Sequence, residues 1–178
     1  MTCFVAFLRG INVGGHIVKK EKLQEAFNSL GFEKVATYKQ SGNVIFKTSG
    51  INVEEIKSKI ETKLKETLGY DVAVFVRTIQ QLKDIIIKNP FNGKEKEGTS
   101  FLVTLLPNLH ASIPFELPFI IPKSAAQIIS AKGTEVFSET HGGGEGALPN
   151  PFIESKLKVK ATTRNLNIIR EIAEKFCD

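Results

Sequence analysis

The hydrophobic and polar positions in the first half of the chain alternate between strand-like and helix-like patterns. Residues 3–8 are apolar at every position, which is typical of a central strand covered on both faces. Residues 23–30 and 53–68 carry apolar side chains at the period of amphipathic helices, and a glycine follows each window. Three further strands are predicted, at residues 34–38, 43–48 and 71–76.

This order of elements, βαββαβ, predicts a ferredoxin-like lobe. Right-handed crossovers place the third strand between the first two and antiparallel to both. The end of the first strand, at Arg9, is then expected beside the turn at residues 39–42 that leads into the third strand. Because the first and fourth strands are apolar on both faces, we expect the second half of the chain or another subunit to cover the sheet face opposite the helices.

The second half predicts a second α+β lobe. Its expected elements are a helix capped by Thr78, a strand at 101–106, a hairpin of strands 125–131 and 134–138, a short helix at 151–157 and a final helix capped by Thr162 or Thr163. The predicted fold class is α+β, with a ferredoxin-like lobe (residues 1–78) packed on a smaller α+β lobe (residues 79–178) that includes the C-terminal helices. One compact unit is the alternative.

Composition narrows the class of protein. The chain has 178 residues, 42% of them hydrophobic and 24% charged, which excludes disordered, collagen-like and coiled-coil classes. No apolar run reaches membrane-spanning length, and the N-terminus has the pattern of a strand rather than a signal peptide. Cys3 and Cys177 give neither a disulfide framework nor a metal-ligand spacing. We therefore expect a soluble cytoplasmic protein with no membrane partner and no cofactor.

The charge is mildly basic and unevenly distributed. The formal net charge is +5, and residues 1–78 carry 12 Lys and Arg against 8 Asp and Glu. A basic excess attracts anionic partners but also simply keeps a protein in solution. Nucleic acid is weakly supported as a partner, because a dedicated binder usually shows a clustered basic patch.

Three short polar clusters contain the residues that could bind a ligand. The first follows the first strand (residues 9–15), the second leads into the third strand (residues 40–43), and the third opens the last helix (residues 162–165). Loops at the ends of rigid strands commonly carry binding residues. The candidate ligand-binding residues are Arg9, Asn12, Gly14, Gly15, Gln40, Ser41, Asn43, Thr163, Arg164 and Asn165.

Each cluster also has a purely structural interpretation. Residues 9–15 lack both the dinucleotide-binding and the P-loop glycine patterns, and their glycines equally suit a tight turn in which Asn12 bonds to the backbone. The second cluster equally caps a hairpin, and Ser41 has no sequence sign of a His–acid partner. No general base is evident, so the sequence assigns no catalytic residue and leaves open whether the protein is an enzyme.

Arg164 and the histidines raise separate questions. In the first turn of the last helix, Arg164 would oppose the helix dipole, so we expect a carboxylate or a bound anion beside it. His16, His110 and His141 are isolated in the sequence. Glu139, His141 and Glu145 could form a metal set, but the glycines between them are too flexible to preorganise ligands, so no metal site is expected.

The three clusters resemble a family of uncharacterised bacterial proteins known as DUF1697. That family has Leu-Arg-Gly-Ile-Asn-Val-Gly-Gly after a strand, here residues 8–15. It also has Tyr-x-Gln-Ser-Gly-Asn-Val, here 38–44, and Thr-Thr-Arg-Asn before a terminal helix, here 162–165. The resemblance implies a ferredoxin-like lobe joined to a second α+β lobe, and it implies no activity. The chain departs from the family at residues 139–150 and at Leu166, where the family often has Trp.

The leading functional hypothesis is a protein that binds a small anionic or phosphorylated ligand in a cleft at one sheet edge. The first alternative is a nucleic-acid-associated module that uses the basic N-terminal lobe. The second is a structural or interaction protein without a small-molecule ligand, as a monomer or a homodimer. The sequence leaves open whether the three clusters form a site or only brace the junction of the lobes.

Overall fold

The computed structural model describes residues 1–12, 15, 17–39, 42–92, 97–107, 113–142 and 148–176. Over these residues the chain is a mixed α+β protein with two antiparallel sheets and five helices. It divides into two compact units: Met1–Leu82 together with Ile172–Asp178, and Lys83–Glu171. The end of the chain is thus grouped with its beginning.

The first unit is built on a four-stranded sheet. Its elements are β1 (Thr2–Arg9), α1 (Lys20–Asn28), β2 (Glu33–Thr37), β3 (Asn43–Thr48), α2 (Val53–Leu68) and β4 (Ala73–Thr78). The strand order is β2-β3-β1-β4, and β3 is antiparallel to both of its neighbours. The C-terminal end of β1 therefore lies beside the N-terminal end of β3.

Local sequence signals account for the ends of α2. The side chain of Asn52 accepts hydrogen bonds from the backbone N–H groups of Glu54 and Glu55, and its amide donates to Glu55 Oε1 at 3.4 Å. This reciprocal bonding satisfies N–H groups that have no partner within the helix. At the other end, Gly69 adopts φ 82°, a left-handed conformation that costs glycine little because it has no Cβ. The predicted cap and stop of this helix are confirmed.

The core of the first unit lies between the sheet and its two helices. Alternate residues of β1 (Phe4, Ala6 and Leu8) are buried in a cluster with apolar residues of α1 and α2. Side chains in a strand alternate between faces, so Val5 and Phe7 occupy the other face, where both are fully buried. The chain end contacts this second face, because Cys3 Sγ lies 3.8 Å from the Phe176 carbonyl oxygen.

The second unit contains a five-stranded antiparallel sheet. Its strands are β5 (Thr99–Leu105), β6 (Phe119–Ile120), β7 (Ala126–Lys132), β8 (Glu135–His141) and β9 (Thr162–Asn165), in the order β6-β7-β8-β5-β9. Helix α4 (Asn150–Leu157) follows β8 along the chain, and its Ile153 is buried in an apolar cluster with residues of β7 and β8. Two further helices, α3 (Ile79–Lys88) and α5 (Leu166–Lys175), contain the boundaries between the units.

The start of the last helix corrects the sequence analysis. Thr162, Thr163 and Arg164 belong to strand β9, which pairs antiparallel with β5, and α5 begins only at Leu166. The helix is capped by Asn165, whose Oδ1 accepts the N–H of Asn167 at 2.9 Å. The predicted threonine cap, and with it the conflict between Arg164 and the helix dipole, is therefore wrong. Threonine suits strands as well as caps, and pairing with β5 decides which role it takes.

The other helices and strands differ less from their predicted bounds. The fourth strand was expected at 71–76 and spans Ala73–Thr78, and the hairpin of β7 and β8 turns at residues 133–134 rather than 132–133. The two-residue strand β6 is an addition to the predicted elements. Thr78 caps α3, as predicted, by accepting the Gln81 N–H at 3.1 Å. Among the helices formed by the residues described, no helix is long and apolar enough to cross a bilayer.

The cap of α2 gives a stability prediction. We expect Asn52→Ala to lower the free energy of unfolding by about 1 kcal/mol, because two backbone N–H groups lose their acceptor. Chemical denaturation followed by circular dichroism measures the change. Asn28→Ala, at the exposed end of α1, is the matched control and is expected to stay within about 0.5 kcal/mol. Equal losses from the two variants would contradict the capping role.

Candidate functional site

Two of the three polar clusters meet at one edge of the four-stranded sheet. Arg9 is the last residue of β1 and lies opposite Ala73 of β4. Asn43 is the first residue of β3 and lies opposite Phe7. Directly opposed residues share a face, and Phe7 and Arg9 are two positions apart on one strand. Arg9 and Asn43 therefore occupy the same face at the same end of β1, which fulfils the expected adjacency.

The loop after β1 is shaped by residues with left-handed backbone conformations. Gly10, Asn12 and Gly15 have φ values of 79°, 59° and 86°. Asn is one of the few non-glycine residues that adopt this region readily. The Oδ1 atom of Asn12 also accepts the N–H of Val18 at 2.6 Å, which ties the two ends of the loop together. Asn12 thus has the local backbone role that the sequence allowed, and Gly14 lies outside the described residues.

The hairpin between β2 and β3 is closed by Asn43. Its amide Nδ2 donates to the Tyr38 carbonyl oxygen at 3.2 Å, while the Tyr38 N–H donates to the Asn43 carbonyl oxygen at 3.0 Å. The Leu8 N–H donates to the Gly42 carbonyl oxygen at 2.7 Å, so β1 fixes the hairpin from the other side. Asn43 is 5% exposed and acts on the backbone. Gln40 and Ser41 lie outside the described residues.

Four residues near this hairpin were not candidates in the sequence analysis: Tyr38, Lys39, Lys175 and Phe176. The ammonium groups of Lys39 and Lys175 lie 5.7 and 5.3 Å from the centre of the Tyr38 ring, and the Phe176 ring meets it edge-on at 5.9 Å. Tyr38 is the first residue of the motif at residues 38–44, so that motif could have identified it as a candidate. Lys175 gave none, because only folding brings the last helix to β2.

The third cluster lies in the second unit, and strand β9 divides it between two faces. Arg164 is on one face, where its Nη1 donates to Thr162 Oγ1 at 2.8 Å and to the Thr163 carbonyl oxygen at 2.9 Å. Burial lowers the pKa of Arg164 to about 10, so the guanidinium remains charged at neutral pH. Thr163 and Asn165 point to the opposite face. These three residues therefore cannot act from one surface of the strand.

The face that carries Thr163 is lined with buried hydroxyl groups. Thr163 Oγ1 lies 2.8 Å from Thr104 Oγ1 on β5 and 3.4 Å from Asn150 Oδ1 at the start of α4. The hydroxyls of Ser138 and Thr140, on β8, are buried and have no hydrogen-bond partner among the residues that the structure describes. Both residues share the face of Thr104, since Ser138 pairs with Leu102 and Thr140 with Ser100. Sequence alone did not distinguish these hydroxyls from exposed ones.

The candidate residues thus fall in two units. Arg9, Asn12 and Asn43 belong to the first, and Thr163, Arg164 and Asn165 belong to the second. Contact between the third cluster and the first two stays a prediction.

The histidine that the sequence placed near acidic residues makes two contacts. His141 Nδ1 lies 2.9 Å from Thr99 Oγ1, and its Nε2 lies 3.7 Å from Glu139 Oε1. Within the part of the chain that the structure describes, no three His, Cys, Asp or Glu side chains are grouped so as to hold a metal ion. His16, His110 and Glu145 lie outside that part.

Comparison with known proteins gives a family and a fold. The model of the family described as "Protein of unknown function (DUF1697)" matches residues 1–136, which include the first two clusters but not the third. No curated protein matches the chain. The chain is similar in structure to the conserved bacterial protein SP0830 from Streptococcus pneumoniae, with 18% identity, 97% of each chain covered and a TM-score of 0.67. At this identity the similarity concerns the fold alone.

The buried hydroxyls give a second stability prediction. We expect Thr140→Val to raise the free energy of unfolding by about 1 kcal/mol, because it removes a desolvated hydroxyl without a partner and keeps the side-chain shape. Thr104→Val, on the same face, should lower it by about 1 kcal/mol through loss of the bond to Thr163. Urea denaturation of both variants measures the difference. A loss in Thr140→Val as large as that in Thr104→Val would refute the assignment.

Proposed function

The chain belongs to the family described as protein of unknown function (DUF1697), which confirms the resemblance seen in the sequence, and because that description assigns no activity we propose a function from the residues themselves. We propose that the protein binds a small anionic or phosphorylated ligand at the edge of the four-stranded sheet. The observation that carries the proposal is the placement of Arg9 and Asn43 on one face, at the end of β1.

Arg9 is the charged contact in this proposal. A guanidinium presents several N–H donors in a planar fork and binds carboxylate or phosphate groups through two of them. Arg9 is partly buried and belongs to a strand that pairs on both sides, so its position is fixed by the sheet. Gly10 and Asn12, which follow Arg9 directly, have the left-handed backbone conformation that is common in main-chain turns whose N–H groups bind anions.

Asn12 and Asn43 have a supporting role. Their side chains bond to the backbone of Val18 and Tyr38, which holds the loop and the hairpin around Arg9. Residues on the same two segments remain candidate contacts, namely Gly14, Gly15, Gln40 and Ser41. Thr163, Arg164 and Asn165 remain candidates in the second unit.

The finer description of the protein belongs to this proposal as well. The element order of the first unit and its strand order β2-β3-β1-β4 support a ferredoxin-like lobe. A bacterial origin stays a prediction from the sequence resemblance. A cytoplasmic location, and a monomer or homodimer, stay predictions from the sequence.

A thermal-shift screen tests the ligand. We expect at least one phosphorylated metabolite from a broad panel to raise the melting temperature, because a ligand that binds only the folded state stabilises it. Arg9→Ala should weaken that ligand by about tenfold or more, and Arg9→Lys should recover only part of the loss. Calorimetric titration of each variant measures the affinity.

Arg170→Ala is the matched control, since Arg170 bonds to Asn167 on α5 and has no part in the proposed site. It should bind the ligand as the parent protein does. The proposal fails if no anionic metabolite stabilises the protein, or if Arg9→Ala binds with unchanged affinity. Salt-dependent binding of generic RNA or DNA, with no response to small anions, would favour the nucleic-acid alternative.

A further inference from the structure

Tyr38 lies on the same sheet face as Asn43 and Arg9. Ala36 pairs with Ile45, and Ile45 pairs with Val5, so the face of Val5 and Phe7 continues onto β2. Tyr38 is two residues beyond Ala36 and is joined to Asn43 by two hydrogen bonds. One row across the sheet therefore runs from Tyr38 through Asn43 to Phe7.

The separation of Tyr38 and Arg9 limits the ligand that can use both. Tyr38 is two strands from Phe7, and Arg9 is two residues further along β1. Strand spacing and rise place the two Cα atoms roughly 12 Å apart. Inorganic phosphate is too small to contact an aromatic ring and a guanidinium at that separation. A nucleoside phosphate can bridge it, with its base and phosphate at opposite ends.

The surroundings of Tyr38 suit a planar base and a negative charge. The ammonium groups of Lys39 and Lys175 lie within 6 Å of its ring centre, and both lysine side chains are exposed. Lysine side chains are flexible, so the two ammonium groups can move from the Tyr38 ring toward the phosphate. A base can then stack on the ring surface that they leave. The Phe176 ring packs nearly perpendicular to the Tyr38 ring and helps to hold it in place.

We propose that the ligand of this site is a nucleoside monophosphate, with its base stacked on Tyr38 and its phosphate bound by Arg9 and the two lysines. This inference rests on the proposed function and names the class of its ligand. We give Asn43 no part in distinguishing the bases, because its side chain is buried and its amide donates to the Tyr38 carbonyl oxygen. Stacking accepts every base, so affinity should follow ring size, with purines above pyrimidines.

Calorimetric titration with three compounds tests the inference. Adenosine 5′-monophosphate has base and phosphate, ribose 5-phosphate lacks the base, and adenosine lacks the phosphate. We expect the monophosphate to bind at least tenfold more tightly than either of the others. Tyr38→Leu should reduce its affinity to that of ribose 5-phosphate, whose own binding stays unchanged, and Tyr38→Phe should keep the full affinity. Circular dichroism confirms that each variant is folded.

Tyrosine emission gives a second readout. The chain has two Tyr and no Trp, so Tyr70→Phe leaves Tyr38 as the single intrinsic fluorophore. In that variant the monophosphate should quench the emission, after correction for its own absorption, and ribose 5-phosphate should not.

The outcomes separate the two proposals. Equal affinities for the monophosphate and ribose 5-phosphate would overturn the nucleotide inference and leave anion binding intact. Binding of neither compound, together with no other anionic hit, would overturn both. If adenosine bound as tightly as its monophosphate, the phosphate would contribute nothing to affinity, and the proposed contact with Arg9 would be wrong. Binding of RNA or DNA alone would assign the ring and the lysines to a polymer instead.

Discussion

The burial of β1 on both of its faces is the constraint on which the first unit depends. Val5, Ala6 and Phe7 are fully buried, and the strand has hydrogen-bonded neighbours on both edges. A slip of this strand by one residue would move every side chain to the opposite face of a close-packed core and would break the hydrogen bonds to both neighbouring strands. The point at which β1 ends is therefore fixed, and Arg9 emerges there.

Two side-chain amides hold the segments next to the end of β1 in place. Asn12 holds the loop after β1, and Asn43 closes the hairpin that the Leu8 N–H reaches through Gly42. Neither asparagine needs to touch a ligand to matter, since a binding group is only as accurate as the backbone that supports it. A structural interpretation and a functional interpretation of such residues are thus complementary at this edge of the sheet.

In the second unit, by contrast, a single short motif (residues 162–165, on β9) places its side chains on two faces of the sheet. Arg164 keeps its charge in a partly dehydrated position, while Thr163 joins a row of hydroxyls beneath α4. Ser138 and Thr140 leave that row incompletely bonded. Buried hydroxyls without partners lower stability, so we expect Ser138 and Thr140 to reduce the stability of the second unit.

The sequence by itself determined what depends on near neighbours along the chain. The bounds of β3, the cap at Asn52 and the stop at Gly69 followed from periodicity and turn chemistry, and chain order brought Arg9 to the hairpin. Only the tertiary structure decided the role of Thr162–Asn165, because pairing with the distant β5 overrides a capping preference of similar strength. It also decided that Lys175 contacts Tyr38, since no local pattern encodes a contact between residues so far apart in the sequence.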